Sequence, residues 1–118
     1  MTNLAHARLL AADVTALPAE RDGVSTALDS ATAELGTFGG IDLGVWEAGP
    51  GEDSDVEVDE VFLVLSGRGT VAFADGSVVE LRPGVLVRLH AGDRTQWTIS
   101  ERLRKLYLTP TEPQDGPR

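Results

Sequence analysis

From residue 31 onward, short apolar segments alternate with turn-forming residues at nearly regular spacing. The segments have the length of β-strands, and Gly, Pro or Asp separates nearly every neighbouring pair. Strands are predicted on this basis at residues 31–35, 41–46, 61–65, 70–73, 77–81, 85–89, 95–99 and 103–108. Strands at this spacing, with no helix of useful length after residue 30, indicate an all-β antiparallel sandwich or barrel.

Specific residue pairs predict the turns between these strands. Asp75-Gly76 predicts a two-residue hairpin turn in which both central residues have positive φ. Residues 66–69, Ser-Gly-Arg-Gly, predict a turn between the two strands that flank them. Pro83-Gly84 predicts a further turn, so the chain is expected to reverse direction repeatedly.

The composition fits one soluble globular domain of 118 residues, of which 42% are hydrophobic and 25% charged. The absence of cysteine excludes disulfides, thiolate metal sites and a nucleophilic thiol. Residues 1–8 lack the basic and apolar stretches of a signal peptide. The longest strongly apolar run, residues 61–65, is too short to span a membrane. We therefore expect a cytoplasmic protein.

The net charge of −9 argues against nucleic-acid binding, because phosphate binding needs clustered Lys and Arg. The ten basic residues are scattered, apart from Arg102, Arg104 and Lys105 inside a predicted strand. An anionic membrane surface is disfavoured for the same reason. We expect neither nucleic acid nor a membrane as a partner.

The chain is expected to divide into three parts. Residues 1–30 are predicted as an irregular N-terminal arm packed on or beside the barrel, and whether residues 5–12 form a helix or a strand stays open. Residues 31–108 are predicted to form the barrel. Residues 109–118 contain three prolines and are predicted to be a mobile tail.

Two segments carry a recognisable pattern. In the first, Glu60 is followed by six residues and Gly67. In the second, Gly84 is followed by five residues, then His-Ala-Gly at 90–92, then Thr95. Together they resemble, in the right order, the two sequence motifs of the cupin superfamily.

Further segments narrow this resemblance: Trp-Glu-Ala-Gly-Pro-Gly at 46–51, Trp97 five residues after Gly92, and Leu-Arg-Lys-Leu-Tyr at 103–107. They look like the small single-domain branch related to ureidoglycine aminohydrolase and the ethanolamine-utilisation cupins. The resemblance covers roughly residues 41–108. It implies a jelly-roll β-barrel with a central pocket. It also implies a homodimer, which open sheet edges would favour.

A typical cupin binds its metal with a His-x-His pair, the glutamate of the first motif and one histidine of the second. The resemblance puts Glu60 at the glutamate position. Counting back four intervening residues puts Asp55 and Asp53 at the paired positions. Counting back three puts Val56 and Ser54 there instead, and both alignments stay open.

The last histidine position of the resemblance is held by Thr95. Neither histidine of the chain supplies the missing ligand. His90 takes the place usually held by proline and is expected in an exposed turn at the barrel rim, and no role is assigned to His6. A conventional His-rich metal centre is therefore excluded.

The acidic segment before Glu60 has two interpretations. In one, Asp53, Asp55 and Glu60 converge on Mn²⁺, Mg²⁺ or Ca²⁺, with Thr95 assisting, because carboxylates prefer such ions. In the other, the carboxylates of this segment, including Glu57, form a solvated loop and no metal binds. Runs of charge are usually solvated, so we expect the second interpretation and no resident cofactor.

Glu60 is the predicted centre of the barrel pocket. Alternation along its strand puts Glu60 on the same face as the apolar Phe62, and therefore pointing inward. An inward carboxylate without a metal needs a partner. Lys105, which shares a face of the last strand with Tyr107, is the candidate partner. The opposite face of that strand is equally apolar, so which face looks inward stays open.

The residues predicted to line the ligand pocket are Trp46, Glu60, Phe62, Thr95, Trp97, Lys105 and Tyr107. The two tryptophans offer a flat apolar surface to a ligand. Each of them also fits an ordinary place in the barrel core or in a dimer interface.

Three classes of function follow from this pocket. The leading expectation is binding of a small polar molecule, because only one of the four metal-ligand positions is retained. An enzyme is the alternative: by resemblance a metal-dependent hydrolase or aminohydrolase of a small nitrogen-containing compound, or a metal-free variant with Glu60 as general acid–base. The third is a structural role with a vestigial pocket filled by Trp97 and Tyr107.

Overall fold

The computed structural model describes residues 8–111, so His6 and residues 112–118 of the predicted tail lie outside the described part of the chain. The strands are β1 (Glu20–Arg21), β2 (Ala31–Phe38), β3 (Ile41–Ala48), β4 (Gly51–Val56), β5 (Glu60–Phe73), β6 (Val78–Leu81), β7 (Leu86–Leu89) and β8 (Arg94–Pro110). No helix occurs within residues 8–111, and hence none that could cross a membrane. The predicted all-β architecture is confirmed.

All eight strands belong to one antiparallel sheet, organised around its two longest strands, β5 and β8. The order is β1-β2-β3-β8-β5-β6, with β4 added beside β8 and β7 added beside β5. The first part of β8 pairs with β4 and with the end of β5, whereas its last part pairs with β3 and the start of β5. The sheet therefore folds over on itself as the predicted jelly-roll barrel.

Residues 66–69 bend β5 rather than reversing it, so the turn predicted there is wrong. The register between β5 and β8 shifts repeatedly across this segment, and such irregularities kink a strand. Gly67 has a φ of +92°, and a Cβ atom there would lie 2.2 Å from the carbonyl oxygen of Arg102. Only glycine fits this bend. β8 likewise unites two strands that the sequence predicts separately.

The hairpin between β5 and β6 also differs from its prediction. Gly76 has positive φ but Asp75 does not, and the connection covers residues 74–77. The Asp75 carboxylate accepts hydrogen bonds from the backbone N–H and the hydroxyl of Ser77. Such an Asx turn lets aspartate keep ordinary backbone angles, so the two-residue turn is not needed.

Apolar side chains from β3, from β5 to β8 and from the segment before β2 form one core. Its buried members are Leu28, Ala48, Phe62, Val64, Val71, Leu81, Val87, Leu89, Trp97, Ile99 and Leu103. Leu28 brings residues 22–30 into this core. Arg104 fastens the chain further upstream by donating a hydrogen bond of 3.0 Å to the Val14 carbonyl. Leu28 and Val14 of the predicted N-terminal arm therefore contact the barrel.

Candidate functional site

A cavity of about 400 Å³ opens at one end of the barrel. Its lining comes from β2, β3, β4, β5 and β8, and residues 22–28 cover one side. Its charged side chains are five carboxylates and one ammonium: Asp22, Asp53, Asp55, Glu57, Glu60 and Lys105. Trp46, Trp97 and Tyr107 supply aromatic surface.

The floor of the cavity is the ion pair of Lys105 and Glu60. Lys105 Nζ lies 2.6 Å from Glu60 Oε2, and the two side chains are 7% and 13% exposed. The ammonium also faces aromatic rings, 4.3 Å from the centroid of Phe62, 4.9 Å from Trp46 and 5.0 Å from Trp97. One carboxylate and three ring faces therefore compensate its charge.

Glu57 follows β4 and continues its pairing, since its backbone exchanges hydrogen bonds with Asp93 and Gly92. Its carboxylate Oε2 accepts hydrogen bonds from the Thr95 hydroxyl at 2.7 Å and from the Trp97 indole N–H at 2.9 Å. Burial raises the pKa of Glu57 above its ordinary value of 4.5, against the opposing effect of these two donors. Glu57 is therefore a held and partly desolvated carboxyl group.

The sequence of residues 35–107 matches the family described as the EutQ-like cupin domain. This chain belongs to that family. The predicted cupin relationship, including its ethanolamine-utilisation branch, is thus confirmed, whereas the relationship to ureidoglycine aminohydrolase stays a prediction. No curated protein sequence matches the chain.

Solved structures share the fold of this cupin. EutQ from Clostridium difficile has 21% identity and a TM-score of 0.62, covering 71% of this chain and 70% of EutQ. The polyketide cyclase RemF from Streptomyces resistomycificus has 20% identity and a TM-score of 0.69, covering 88% and 80%. Ectoine synthase from P. lautus has 14% identity and a TM-score of 0.67, covering 86% and 78%. At these identities the likeness shows the fold alone.

The side chains of this cupin do not fit the metal that the superfamily usually holds. Glu60 faces the Lys105 ammonium, which would repel a cation, and Asp53 accepts a hydrogen bond of 2.6 Å from the Ser25 hydroxyl. Asp55 is exposed. Within residues 8–111, no group of three His, Cys, Asp or Glu side chains is arranged to hold a metal ion.

The alternative alignment supplies no better ligands. Val56 has no donor atom in its side chain, and the Ser54 hydroxyl donates a hydrogen bond to Gln96 across the sheet. His90 is exposed next to the turn that leads into β8, away from the cavity. Within residues 8–111, neither alignment therefore brings together a set of side chains suited to a metal ion.

The inward face of β8 carries Lys105 and Tyr107. Tyr107 lies opposite Gly44 in the register of β3 and β8, and a Cβ atom on Gly44 would lie 2.3 Å from the phenol oxygen. Glycine thus leaves the space that the ring occupies. Burial raises the pKa of Tyr107, as do the surrounding carboxylates. Its hydroxyl is therefore neutral at physiological pH and both donates and accepts hydrogen bonds.

The structure brings the seven predicted pocket residues together, but in two layers. The residues that line the cavity itself are Trp46, Glu60, Trp97, Lys105 and Tyr107. Phe62 is fully buried beneath the Lys105 ammonium. Thr95 is buried behind Glu57, to which it donates a hydrogen bond. Phe62 and Thr95 therefore act on the cavity through residues that line it.

Two parts of the site lie outside the predicted set. In the sequence, Glu57 is one of several carboxylates in an acidic segment, and nothing in its own position singles it out. Alternation along a strand does place it on the same face as Asp53 and Asp55. The solvated loop expected for this run is instead β4, paired along β8. Asp22 and Ser25 belong to the N-terminal arm, whose sequence shows no secondary-structure pattern and nothing that predicts a pocket.

Proposed function

We propose that this cupin binds a small polar molecule in the cavity at the open end of its barrel. The observation that carries the proposal is the cavity of about 400 Å³, which remains open although Trp97 and Tyr107 are both present. A vestigial pocket would be filled by these side chains. A space of this volume, with aromatic walls and a few polar groups, is typical of small-molecule sites.

The polar groups on the wall would orient such a ligand. The Lys105 ammonium has three donors and gives one to Glu60. The hydroxyl of Tyr107 offers a neutral donor and acceptor, and Trp46 and Trp97 offer ring faces for a flat or apolar portion. The ligand we expect is therefore small, at least partly unsaturated or apolar, and provided with hydrogen-bonding groups.

Binding is testable by tryptophan fluorescence, because both tryptophans of the chain line the cavity. A panel of small polar amides, amines and carboxylic acids would be titrated, and hits measured by calorimetry. In Tyr107→Phe, which removes only the hydroxyl, we expect about tenfold weaker binding for a hit that uses it. Thr98→Val, on the exposed side of β8, should leave binding unchanged. Hits that are insensitive to every cavity variant would contradict the proposal.

We also propose that the cavity works without a resident metal. The ammonium of Lys105 beside Glu60 supports this, because it supplies the positive charge that a metal would bring. Elemental analysis would be made on protein purified without chelator and again after Mn²⁺ loading. Near-stoichiometric metal that is lost in Glu60→Ala or Asp55→Ala would contradict this proposal.

The homodimer stays a prediction of the sequence. Its support is that β1 and β6 end the order of strands, and such edges invite pairing with a second copy. Light scattering on the purified chain measures the mass in solution, and a monomer at micromolar concentration would contradict the prediction.

A further inference from the structure

Within residues 8–111, the two oxygens of the Glu57 carboxyl group differ in their hydrogen bonding. Oε2 accepts the hydrogen bonds from Thr95 and Trp97, both of them buried. Within residues 8–111, no donor hydrogen-bonds Oε1, although Glu57 lines the cavity. The two donors fix the orientation of the group, so the free oxygen has a defined position toward a bound molecule.

The charges around Glu57 come from the two strands packed against it. Asp55 of β4 raises the pKa of Glu57 and Lys105 of β8 lowers it, while burial is the largest influence and raises it. Trp97 connects the two groups, because its N–H bonds to Glu57 and its ring faces the ammonium at 5.0 Å. The Glu57 carboxyl group thus lies at the N–H edge of this indole, and the Lys105 ammonium lies over its ring.

Glu60 does not offer the same arrangement, although the sequence makes it the candidate acid–base. Its Oε2 is bound to the Lys105 ammonium at 2.6 Å. A proton taken up by Glu60 would remove the negative charge that compensates this buried cation. Glu57 can accept a proton and leave that pair intact.

We propose that Glu57 is a general base that removes a proton from carbon in a molecule bound in the cavity, with Lys105 facing the negative charge that develops. The substrate class is a small carbonyl compound with an acidic C–H bond. This inference rests on the proposed binding function and adds an activity to it. It needs no metal.

The step balances without a co-reactant. The C–H bond next to the carbonyl group breaks, and its proton moves to Oε1 of Glu57. The electron pair of that bond moves onto the carbonyl oxygen, where the ammonium of Lys105 stabilises it electrostatically. Return of the proton from Glu57 to the same carbon regenerates the substrate. In a substrate with a β,γ double bond, return to the γ carbon gives the conjugated isomer, and either return restores the carboxylate.

The test uses 5-nitrobenzisoxazole, a flat carbon acid that reports on a carboxylate base. The base takes the ring C–H proton, the electron pair forms a nitrile, the N–O bond breaks, and oxygen leaves as a coloured phenolate. We expect saturable phenolate release by the full chain. Glu57→Gln should reduce the rate on the order of 100-fold, because positioned proton transfer contributes at least that much. Glu52→Gln, on β4 but outside the cavity, is the matched control and should retain the rate.

Binding of the same probe is measured separately by quenching of tryptophan fluorescence. Saturable binding with equal turnover in wild type and Glu57→Gln would overturn the role of Glu57 and leave the binding function standing. If the probe does not bind, the result would contradict both the general-base role of Glu57 and the binding of flat molecules in the cavity. Glu57→Asp, which keeps the carboxylate, guards against a fold defect: it should recover part of the rate, and no recovery in a folded protein would contradict the inference.

Discussion

Lys105 and Glu60 form a buried ion pair at the floor of the cavity, with Nζ 2.6 Å from Oε2. By the cupin resemblance, Glu60 stands at the position of a metal-binding glutamate, and it faces the Lys105 ammonium of β8. Because both side chains are almost out of contact with water, removal of either one would leave the other as a buried charge without a partner. The cavity floor is therefore expected to depend on both members of the pair.

Lys105→Met should destabilise the protein by about 3–5 kcal/mol, because it leaves the Glu60 carboxylate buried without a partner. Urea unfolding followed by circular dichroism measures the loss. The matched control is Arg68→Met, which breaks an exposed pair with Glu101 at 3.8 Å and should cost less than about 1 kcal/mol. Equal losses in the two variants would mean that the floor pair is solvated.

Glu57 should make stability depend on pH in a defined direction. Burial raises its folded-state pKa above the ordinary value of 4.5, at which the unfolded chain titrates. Below that value both states are protonated and stability is unaffected. As pH rises through the ordinary value and then the raised one, the folded state resists ionisation, so stability is lost and then levels off.

This dependence is measured as the unfolding free energy of wild type minus that of Glu57→Gln, which cannot ionise. We expect the difference to fall as pH rises above 4.5 and to become constant above the raised pKa. Thr98→Val, an exposed change that alters no ionisable group, serves as the comparison, and the wild-type value minus its value should show no such fall. A difference that stays constant, or rises with pH, would contradict the burial of Glu57.

The hydroxyl of Thr95 should hold the pKa of Glu57 down, because its hydrogen bond of 2.7 Å stabilises the ionised form. Thr95→Val keeps the shape of the side chain and removes the donor, so the pKa of Glu57 should rise further. Carboxyl-carbon NMR titration measures it directly. Thr98→Val on the outer side of the same strand should leave the titration unchanged, and an unchanged curve for Thr95→Val would exclude the assigned role.

The sequence carries much of the fold because turn residues and alternation are local signals. Residues 31–108 read as successive strands, and the two motif segments place them in a barrel. The wrong predictions concern the places where the chain bends or turns. Residues 66–69 have the composition of a turn, but a strand that bends sharply needs the same glycines. Only the pairing with β8 distinguishes a bend from a reversal.

The site is predictable to a smaller extent. Alternation and the need for a partner point to Glu60 and Lys105 without any structure. Glu57 escapes prediction because neighbouring carboxylates make it look solvated, and its partners are about 40 residues away in the chain. The contribution of Asp22 depends on how the N-terminal arm folds over the barrel, for which local sequence holds no pattern.

Gly67 and Gly76 separate two costs of replacing glycine. Both have positive φ, so alanine is strained at either position. At Gly67 the added Cβ would also meet the Arg102 carbonyl oxygen at 2.2 Å, whereas at Gly76 nothing lies within 4 Å. In urea unfolding, Gly67→Ala should therefore lower the free energy of unfolding by about 1–3 kcal/mol more than Gly76→Ala does. Equal costs would show that β5 and β8 separate easily at the bend.

Arg104 should hold the N-terminal segment against the barrel. Its guanidinium lies 2.8 Å from Glu47 and donates a hydrogen bond of 3.0 Å to the Val14 carbonyl, while the side chain is only 10% exposed.

Arg104→Met removes a charged donor, which is worth about 1.5–3 kcal/mol. The state in which residues 8–19 are detached from the barrel should therefore become at least about tenfold more populated. Limited thermolysin digestion with mass spectrometry would then show faster cleavage within that segment. Arg82→Met, which disturbs only an exposed pair with Glu80, should not change the pattern, and identical digestion of the two variants would mean that other contacts hold the segment.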